Sequence, residues 1–198
     1  MLISFEGIDG SGKSTQIDLL EKYALEKGKD VLKIREPGGT EFSEKIRWIL
    51  LDKNTDIPAA SELFLFEAAR ADLVSKIIKP ALDEGKLVLC DRFFDSTMAY
   101  QGYGRGLDKN TIENVNIMAS SNILPSITFY LKIDADKSAK RNSVKNLDRM
   151  ELEGIDFFER VKLGFEEISL KNKHRIKVID GNKSIIKIHE EIVKYLNF

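Results

Sequence analysis

The uninterrupted match of Gly7-Ile8-Asp9-Gly10-Ser11-Gly12-Lys13-Ser14 to G-x-x-x-x-G-K-[ST] constrains this chain more than any other stretch. Directly before it, Leu2-Ile3-Ser4-Phe5 is an apolar run that reads as a buried strand. Directly after it, Ile17, Leu19, Leu20 and Ala24 recur at helical spacing. Strand, glycine-rich loop and helix in that order make a phosphate-binding loop. Glycines let successive backbone N–H groups converge on phosphate oxygens, and the helix adds its positive N-terminal end. Gly7, Ile8, Asp9, Gly10, Ser11, Gly12, Lys13, Ser14 and Thr15 are thus the candidate ATP-binding residues. Lys13 is placed to reach the β- and γ-phosphates, and the Ser14 hydroxyl to hold Mg²⁺. The bland alternative is a glycine- and serine-rich turn capping a helix. From average residue frequencies an accidental match in a chain of this size is about a one-in-a-hundred event, and the flanking pattern lowers that further.

Composition narrows the partners. The chain has 198 residues, enough for one medium-sized domain with a sizeable core, and is 42% hydrophobic and 32% charged. Lys and Arg number 31 against 32 Asp and Glu, so there is no excess of positive charge of the kind that duplex nucleic acid requires. Any phosphate site must be built from local clusters. The single cysteine, Cys90, cannot form an internal disulfide and lies in the apolar run Leu87-Val88-Leu89-Cys90, where it reads as a buried strand thiol. No apolar run approaches the roughly 20 residues of a membrane span and no signal peptide is visible, so a cytoplasmic setting is expected.

Short apolar runs alternate with amphipathic segments. Strands are expected at Leu2–Phe5, Val31–Ile34, Leu87–Cys90, Ile127–Ile133 and Ile176–Ile179. Helices are expected near Ser14–Lys27, Glu41–Leu51, Ala59–Leu82, Lys109–Ala119, Phe157–Lys171 and Ile185–Tyr195. This pattern predicts an α/β fold: a parallel five-stranded sheet of the P-loop NTPase kind, helices on both faces, and ligands at the carboxyl ends of the strands. The segment Lys140–Glu153 differs. Charge dominates it and apolar residues are sparse, which suits either a solvated helix end with a loop or a lid, at about 140–154, whose basic residues close over a triphosphate.

A second site gathers around other strand ends. Asp91 follows the third strand and is placed to help hold Mg²⁺, while the adjacent Arg92 can fork hydrogen bonds onto a phosphate. By itself an Asp-Arg pair is often only a salt bridge or a cap. Its weight comes from Asp95-Ser96-Thr97-Met98-Ala99-Tyr100-Gln101-Gly102, which packs hydroxyl, phenol and amide groups suited to a base edge and a sugar. Arg35-Glu36-Pro37-Gly38-Gly39-Thr40 reads as a turn where backbone can approach a ligand, or as a plain strand-to-helix connection. Phe66 and Arg70 share a helix face, so an aromatic surface and a guanidinium could together meet a nucleobase. A core Phe beside a surface Arg would look the same.

The blocks Glu6–Thr15, Arg35–Thr40 and Asp91–Gly102, in this order and spacing, resemble thymidylate kinases over essentially the whole chain. The third block is the specific one. The resemblance implies a single nucleoside monophosphate kinase domain over residues 1–198, ATP- and Mg²⁺-dependent phosphorylation of dTMP to dTDP, and a homodimer. It implies that Phe66 stacks on thymine, that Arg70 meets its carbonyl edge, and that Thr97 and Gln101 lie by the base with Tyr100 beneath the sugar. Asp9 and Arg92 fall to the acceptor's sugar and phosphate, with Glu36, Pro37 and Ser96 completing the dTMP set. Some members carry an arginine inside the phosphate loop; here Gly10 stands there, as in the bacterial type, in which lid cations supply that charge. Asp148-Arg149-Met150-Glu151 matches the family's Asp-Arg-x-Glu, so Arg141, Lys145 and Arg149 are the candidates, Arg141 and Arg149 joining Lys13, Arg92 and Asp9 as the expected catalytic set.

The acceptor is a phosphate monoester with a second pKa of about 6, already largely anionic, so no general base is required. Two alternatives remain at this level. One is a kinase for another nucleoside monophosphate such as dUMP, UMP or CMP. The other is a GTP-binding switch, for which the nearest guanine-reading candidate, Asn182-Lys183-Ser184-Ile185, lacks the required Asp.

Overall fold

A computed structural model describes residues 1–134 and 148–197. Five parallel strands form one sheet: β1 (Leu2–Glu6), β2 (Val31–Arg35), β3 (Leu87–Asp91), β4 (Ile127–Lys132) and β5 (Ile176–Asp180), in the order β2-β3-β1-β4-β5. The strands form where apolar runs allow burial on both faces. In β1 all five residues are buried, Ile3 and Phe5 entering one core and Leu2 another. In β3, Leu87 and Leu89 join Ile3 and Phe5, while Val88 and Cys90 join Leu2 on the opposite face.

Among the described residues the α-helices are α1 (Lys13–Glu26), α2 (Glu41–Leu51), α3 (Ala59–Leu73), α4 (Lys79–Asp83), α5 (Phe94–Thr97), α6 (Lys109–Ala119), α7 (Ile155–Lys171) and α8 (Ile185–Val193). On one face of the sheet Ile17 and Leu20 of α1 and Ile188 and Ile192 of α8 cover Phe5, Phe129 and Ile179. On the other, Phe157, Val161 and Phe165 of α7 pack with Tyr100 and Tyr130, the Phe165 and Tyr130 rings stacking 5.0 Å apart. Caps set several starts: Thr40 accepts from the Ser43 N–H at 3.0 Å, and Asp108 from the Thr111 N–H at 2.8 Å.

Two segments depart from the simple reading. The long helix expected over Ala59–Leu82 is α3 and α4 joined through a π-helical turn, Val74–Ile78. Pro80 lacks an N–H for the Lys76 carbonyl and its ring crowds that turn, which accounts for the local widening. The stretch after Asp91 lies outside the helices that the sequence pattern predicts. It is helical, α5 continuing into a π-helical turn at Met98–Gly104 that places the Arg105 N–H on the Tyr100 carbonyl at 2.9 Å. Gly102 and Gly104 disfavour helix locally, but packing on α7 prevails. That packing is close: a Cβ on Gly164 of α7 would lie 2.7 Å from the Tyr103 ring.

The register fixes the functional edge. Phe5 and Arg35 both pair with Asp91, and Glu6 pairs with Tyr130, so the ends of β1, β2 and β3 stand side by side.

Candidate active site

The phosphate loop leaves β1 through Gly7, whose φ is 138° and where a Cβ would lie 2.7 Å from the Leu131 carbonyl oxygen, so only glycine allows the turn. Lys13, at the start of α1, is buried and folds back so that Nζ donates to the carbonyls of Gly7 at 3.1 Å and Ile8 at 3.3 Å. Burial lowers its pKa, and nearby Arg92 lowers it further. The Ser14 hydroxyl donates to Asp91 Oδ2 at 2.9 Å, which brings the two candidate metal-holding groups together at the start of α1 and the end of β3. A cleft of about 820 Å³ is lined by the loop from Asp9 to Gln16, including Gly10, Ser11, Gly12 and Thr15, and by Arg35, Asp91 and Lys183.

Arg92 has a positive φ of 72°. Its Nη1 donates to the Gly7 carbonyl at 2.8 Å and to Ser96 Oγ at 3.1 Å; its Nη2 donates to Asp9 Oδ1 at 2.8 Å and to the Tyr100 hydroxyl at 3.2 Å. Beneath this sits Glu6. It is fully buried and accepts from the Phe93 N–H at 2.7 Å and from the Ser96 hydroxyl at 2.5 Å. Burial and the neighbouring Asp95 push its carboxyl up to about 8. Glu6 thus ties the end of β1 to the start of α5 and orients the turn that carries Arg92.

A second cavity, of about 100 Å³, opens beside the first and is lined by Pro37, Leu51, Phe66, Arg70, Phe93, Ser96, Thr97, Tyr100, Gln101 and Met150, among others. Asp9, Glu36, Arg47, Arg92 and Asp148 line both cavities. Arg70 is 3% exposed. Its Nε donates to Glu36 Oε2 at 2.8 Å, and its Nη1 to Glu67 Oε1 at 2.5 Å and Asn116 Oδ1 at 3.0 Å. Burial raises the Glu36 carboxyl to about 7 despite Arg70. Thr97 Oγ1 donates to the same oxygen of Glu67 at 3.1 Å.

Two clefts joined at a row of charged groups, one built on a phosphate loop and the other on an aromatic ring and polar side chains, fit a bisubstrate phosphotransferase. A sequence model of thymidylate kinase matches residues 5–192. The chain belongs to the thymidylate kinase family. It is 46% identical over 207 residues to the thymidylate kinase of Chlorobaculum tepidum, across 100% of this chain and 97% of that one. It is 51% identical over 192 residues to that of Thermosipho africanus, covering 97% and 95% of the two chains. The crystal structure of thymidylate kinase from Ehrlichia chaffeensis superposes with a TM-score of 0.84 at 40% identity, covering 100% of this chain and 98% of that one. The activity is that of a nucleoside monophosphate kinase acting on dTMP.

Placed by the structure, the expected residues divide into three sets. Asp9 to Thr15 of the loop, Asp91 and Arg92 line the larger cleft, whereas Gly7 and Ile8 do not, Ile8 being packed in the core; Phe66, Arg70, Ser96, Thr97, Tyr100, Gln101, Glu36 and Pro37 line the smaller. Arg149 lines neither: its Nε donates to the Leu50 carbonyl at 2.8 Å and its Nη2 pairs with Glu62 Oε2 at 2.7 Å. Arg141, Lys145 and most of the expected lid lie outside the described residues. Sequence reasoning does not single out Glu6, Arg47, Glu62, Glu67 or Asn116. For Arg47, which donates to the Pro37 carbonyl at 2.9 Å, the available signal is a basic residue about two turns into the helix that follows the Pro-Gly-Gly turn.

Proposed function

We propose that the larger cleft holds ATP, the smaller holds dTMP, and the γ-phosphoryl group passes between them at the row Asp9, Arg47 and Arg92. The sharing of these residues by both clefts is the observation that carries the reading. The whole chain is read as one kinase domain whose lid, at about 140–154, supplies Arg141 or Lys145 to the transferring group.

Lys13 meets the donor phosphates, and Arg92 and Arg47 meet the acceptor phosphate. These fixed charges offset repulsion between two polyanions and stabilise the spread charge of the transition state. No group has to remove a proton from the acceptor, because its phosphate is already anionic near neutral pH. Asp9, bonded to Arg92, orients that guanidinium beside the acceptor's sugar and phosphate. Phe66 stacks on thymine, Arg70 meets its carbonyl edge, Thr97 and Gln101 flank the base, and Tyr100 lies under the sugar, disfavouring a 2′-hydroxyl.

The Ser14 hydroxyl and Asp91 carboxylate, 2.9 Å apart at the mouth of the loop, are hard oxygen donors suited to Mg²⁺. Among the described residues no cluster of three or more acidic or imidazole groups competes for a metal, in keeping with an ion held mainly by substrate phosphates and water. Bound there, the ion would neutralise donor phosphate charge.

Exposed Phe42 and Trp48 on α2, Phe64 on α3 and Met118 on α6 support a homodimer through these helices, α3 packing against both α2 and α6. The near-balanced charge supports small-molecule rather than nucleic-acid partners. No described helix is long and apolar enough to cross a membrane; a cytoplasmic location is proposed on the lone buried cysteine.

Initial rates with dTMP, dUMP, UMP, CMP and AMP, measured side by side with ATP and Mg²⁺, test the reading. A clear preference for dTMP is expected, and a preference for a ribonucleotide would overturn it.

A further inference from the structure

Gln101 lies in the π-helical turn after α5, is 1% exposed and lines the smaller cavity. Its Nε2 donates to Glu62 Oε1 at 2.9 Å. Which end of this amide carries nitrogen is decided by chemistry, because an ionised carboxylate can only accept. Glu62, itself fully buried on α3, is held ionised from two sides. Arg105 reaches it from Nε at 3.0 Å and Nη2 at 2.9 Å, and Arg149 from Nη2 at 2.7 Å. Burial opposes the charge, but Arg105, Gln101 and Arg149 outweigh it and keep the carboxyl below its ordinary pKa. The side-chain amide oxygen of Gln101, Oε1, receives no hydrogen bond from the described residues, whereas its backbone carbonyl accepts from the Leu107 N–H at 3.1 Å.

We infer that Glu62 is a positioning residue for base selection: by taking the Gln101 amide nitrogen, it leaves a carbonyl acceptor as the group Gln101 offers to the base. Beside it, Arg70 can offer only donors, and Glu36, Glu67 and Asn116 hold its guanidinium in place. A fixed donor next to a fixed acceptor complements the 4-carbonyl and ring N–H of a 4-oxopyrimidine. A 4-aminopyrimidine reverses both groups, setting donor against donor and acceptor against acceptor. Sites built in this way discriminate strongly, because mismatched buried polar groups are left unpaired. The inference rests on the smaller cavity being the dTMP site, and it concerns thymine against cytosine, not thymine against uracil.

The same residue explains why a surface-type side chain is buried here. Without a carboxylate at this place the amide is free to turn, and Arg105 and Arg149 lose their shared acceptor. A glutamine at 62 could itself donate to the Gln101 carbonyl, turning the Gln101 nitrogen toward the base.

The test is the ratio of kcat/KM for dTMP to that for dCMP in the full chain, alone and in Glu62→Gln, Glu62→Asp, Gln101→Met and Glu62→Gln/Gln101→Met, with melting temperatures in parallel. Glu62→Gln is expected to lower the ratio at least about tenfold, chiefly through KM, with a rise in absolute dCMP activity that a merely destabilised enzyme would not show. In the Gln101→Met background the same substitution is expected to leave the ratio unchanged, since the two residues act as one unit. Glu62→Asp keeps a charge for both arginines but draws it back from the amide by one methylene. It is expected to fold and to lower the ratio, and it decides the matter if Glu62→Gln does not fold. An unchanged ratio in a folded Glu62 variant, or an equal loss in both backgrounds, overturns the inference. Failure of the unsubstituted enzyme to use dTMP would overturn the functional reading instead.

Discussion

Arg92 Nη2 donates to Asp9 Oδ1 at 2.8 Å, joining the end of β3 to the phosphate loop at the line where the two clefts meet. The pair is only partly withdrawn from water, so its worth lies in placement rather than stability. It holds a guanidinium where an acceptor phosphate and a transferring group would both come within reach.

Arg92 also sits at a φ of 72°, which a side chain with a Cβ tolerates poorly. Arg92→Ala and Arg92→Gly are both expected to lower kcat by about 10²–10³-fold, the scale of one lost charge-stabilising donor. Their stabilities should differ, with Arg92→Gly the more stable by about 1 kcal/mol because glycine adopts this backbone without strain. Urea denaturation of both variants, together with steady-state rates, checks this. An alanine variant more stable than the glycine one would show that the strain is absent.

Lys13 is a buried cation satisfied by two loop carbonyls, so its removal forfeits two hydrogen bonds but also ends the cost of burying a charge. Lys13→Ala is therefore expected to remain within about 1 kcal/mol of the parent in stability. Its kcat should fall at least about 10²-fold. Comparable rates from parent and variant, by a coupled ADP assay, would remove Lys13 from the donor site.

What could be read along the chain follows the range of the interactions. The phosphate loop and all five strands were legible because glycine spacing and apolar runs are local signals, and α2 and α6 begin and end where their patterns do. The helix through Ser96, Tyr100 and Gln101 was not, since Gly102 and Gly104 argue against helix and only packing on α7 reverses that. Glu6, Glu62 and Glu67 look like solvent-facing charges in sequence. Each is buried and takes its meaning from partners between 3 and 90 positions away. Arg149 reads as one more lid cation; its commitment to Glu62, on a distant helix, leaves no mark in its own neighbourhood.

Glu6 makes stability depend on pH. Burial lifts its carboxyl from 4.5 to about 8, so the folded state keeps a proton that the unfolded state has released across that window. Its stabilising contribution is complete below pH 4.5 and is lost as pH rises through about 8; Glu36, lifted to about 7, acts in the same direction. Glu6→Gln, which cannot ionise and can still accept from the Phe93 N–H, is expected to show a shallower decline. The parent's extra slope approaches about 1.4 kcal/mol per pH unit, one proton's worth. Parallel stability curves for parent and variant would mean that Glu6 is ionised in the folded protein throughout.

Arg149 and Arg141 are expected to separate by the kind of damage their loss does. Arg149 spends its guanidinium on buried Glu62 and on the Leu50 carbonyl, so Arg149→Ala should lower stability by about 1–3 kcal/mol, the range for bonds to a charged partner. Arg105 still satisfies Glu62 in that variant, which keeps the cost below that of an orphaned buried charge. A loss of kcat should follow only as far as the flank of the lid is loosened, and conditions that restore full folding should recover most of it. Arg141→Ala should do the reverse, lowering kcat by about 10²–10³-fold with melting temperature little changed, as fits a lid cation that meets the transferring phosphoryl group. Single-turnover rates set beside thermal melts separate the two patterns. If Arg149→Ala is as stable as the parent yet slow, while Arg141→Ala is fast, the two roles are exchanged.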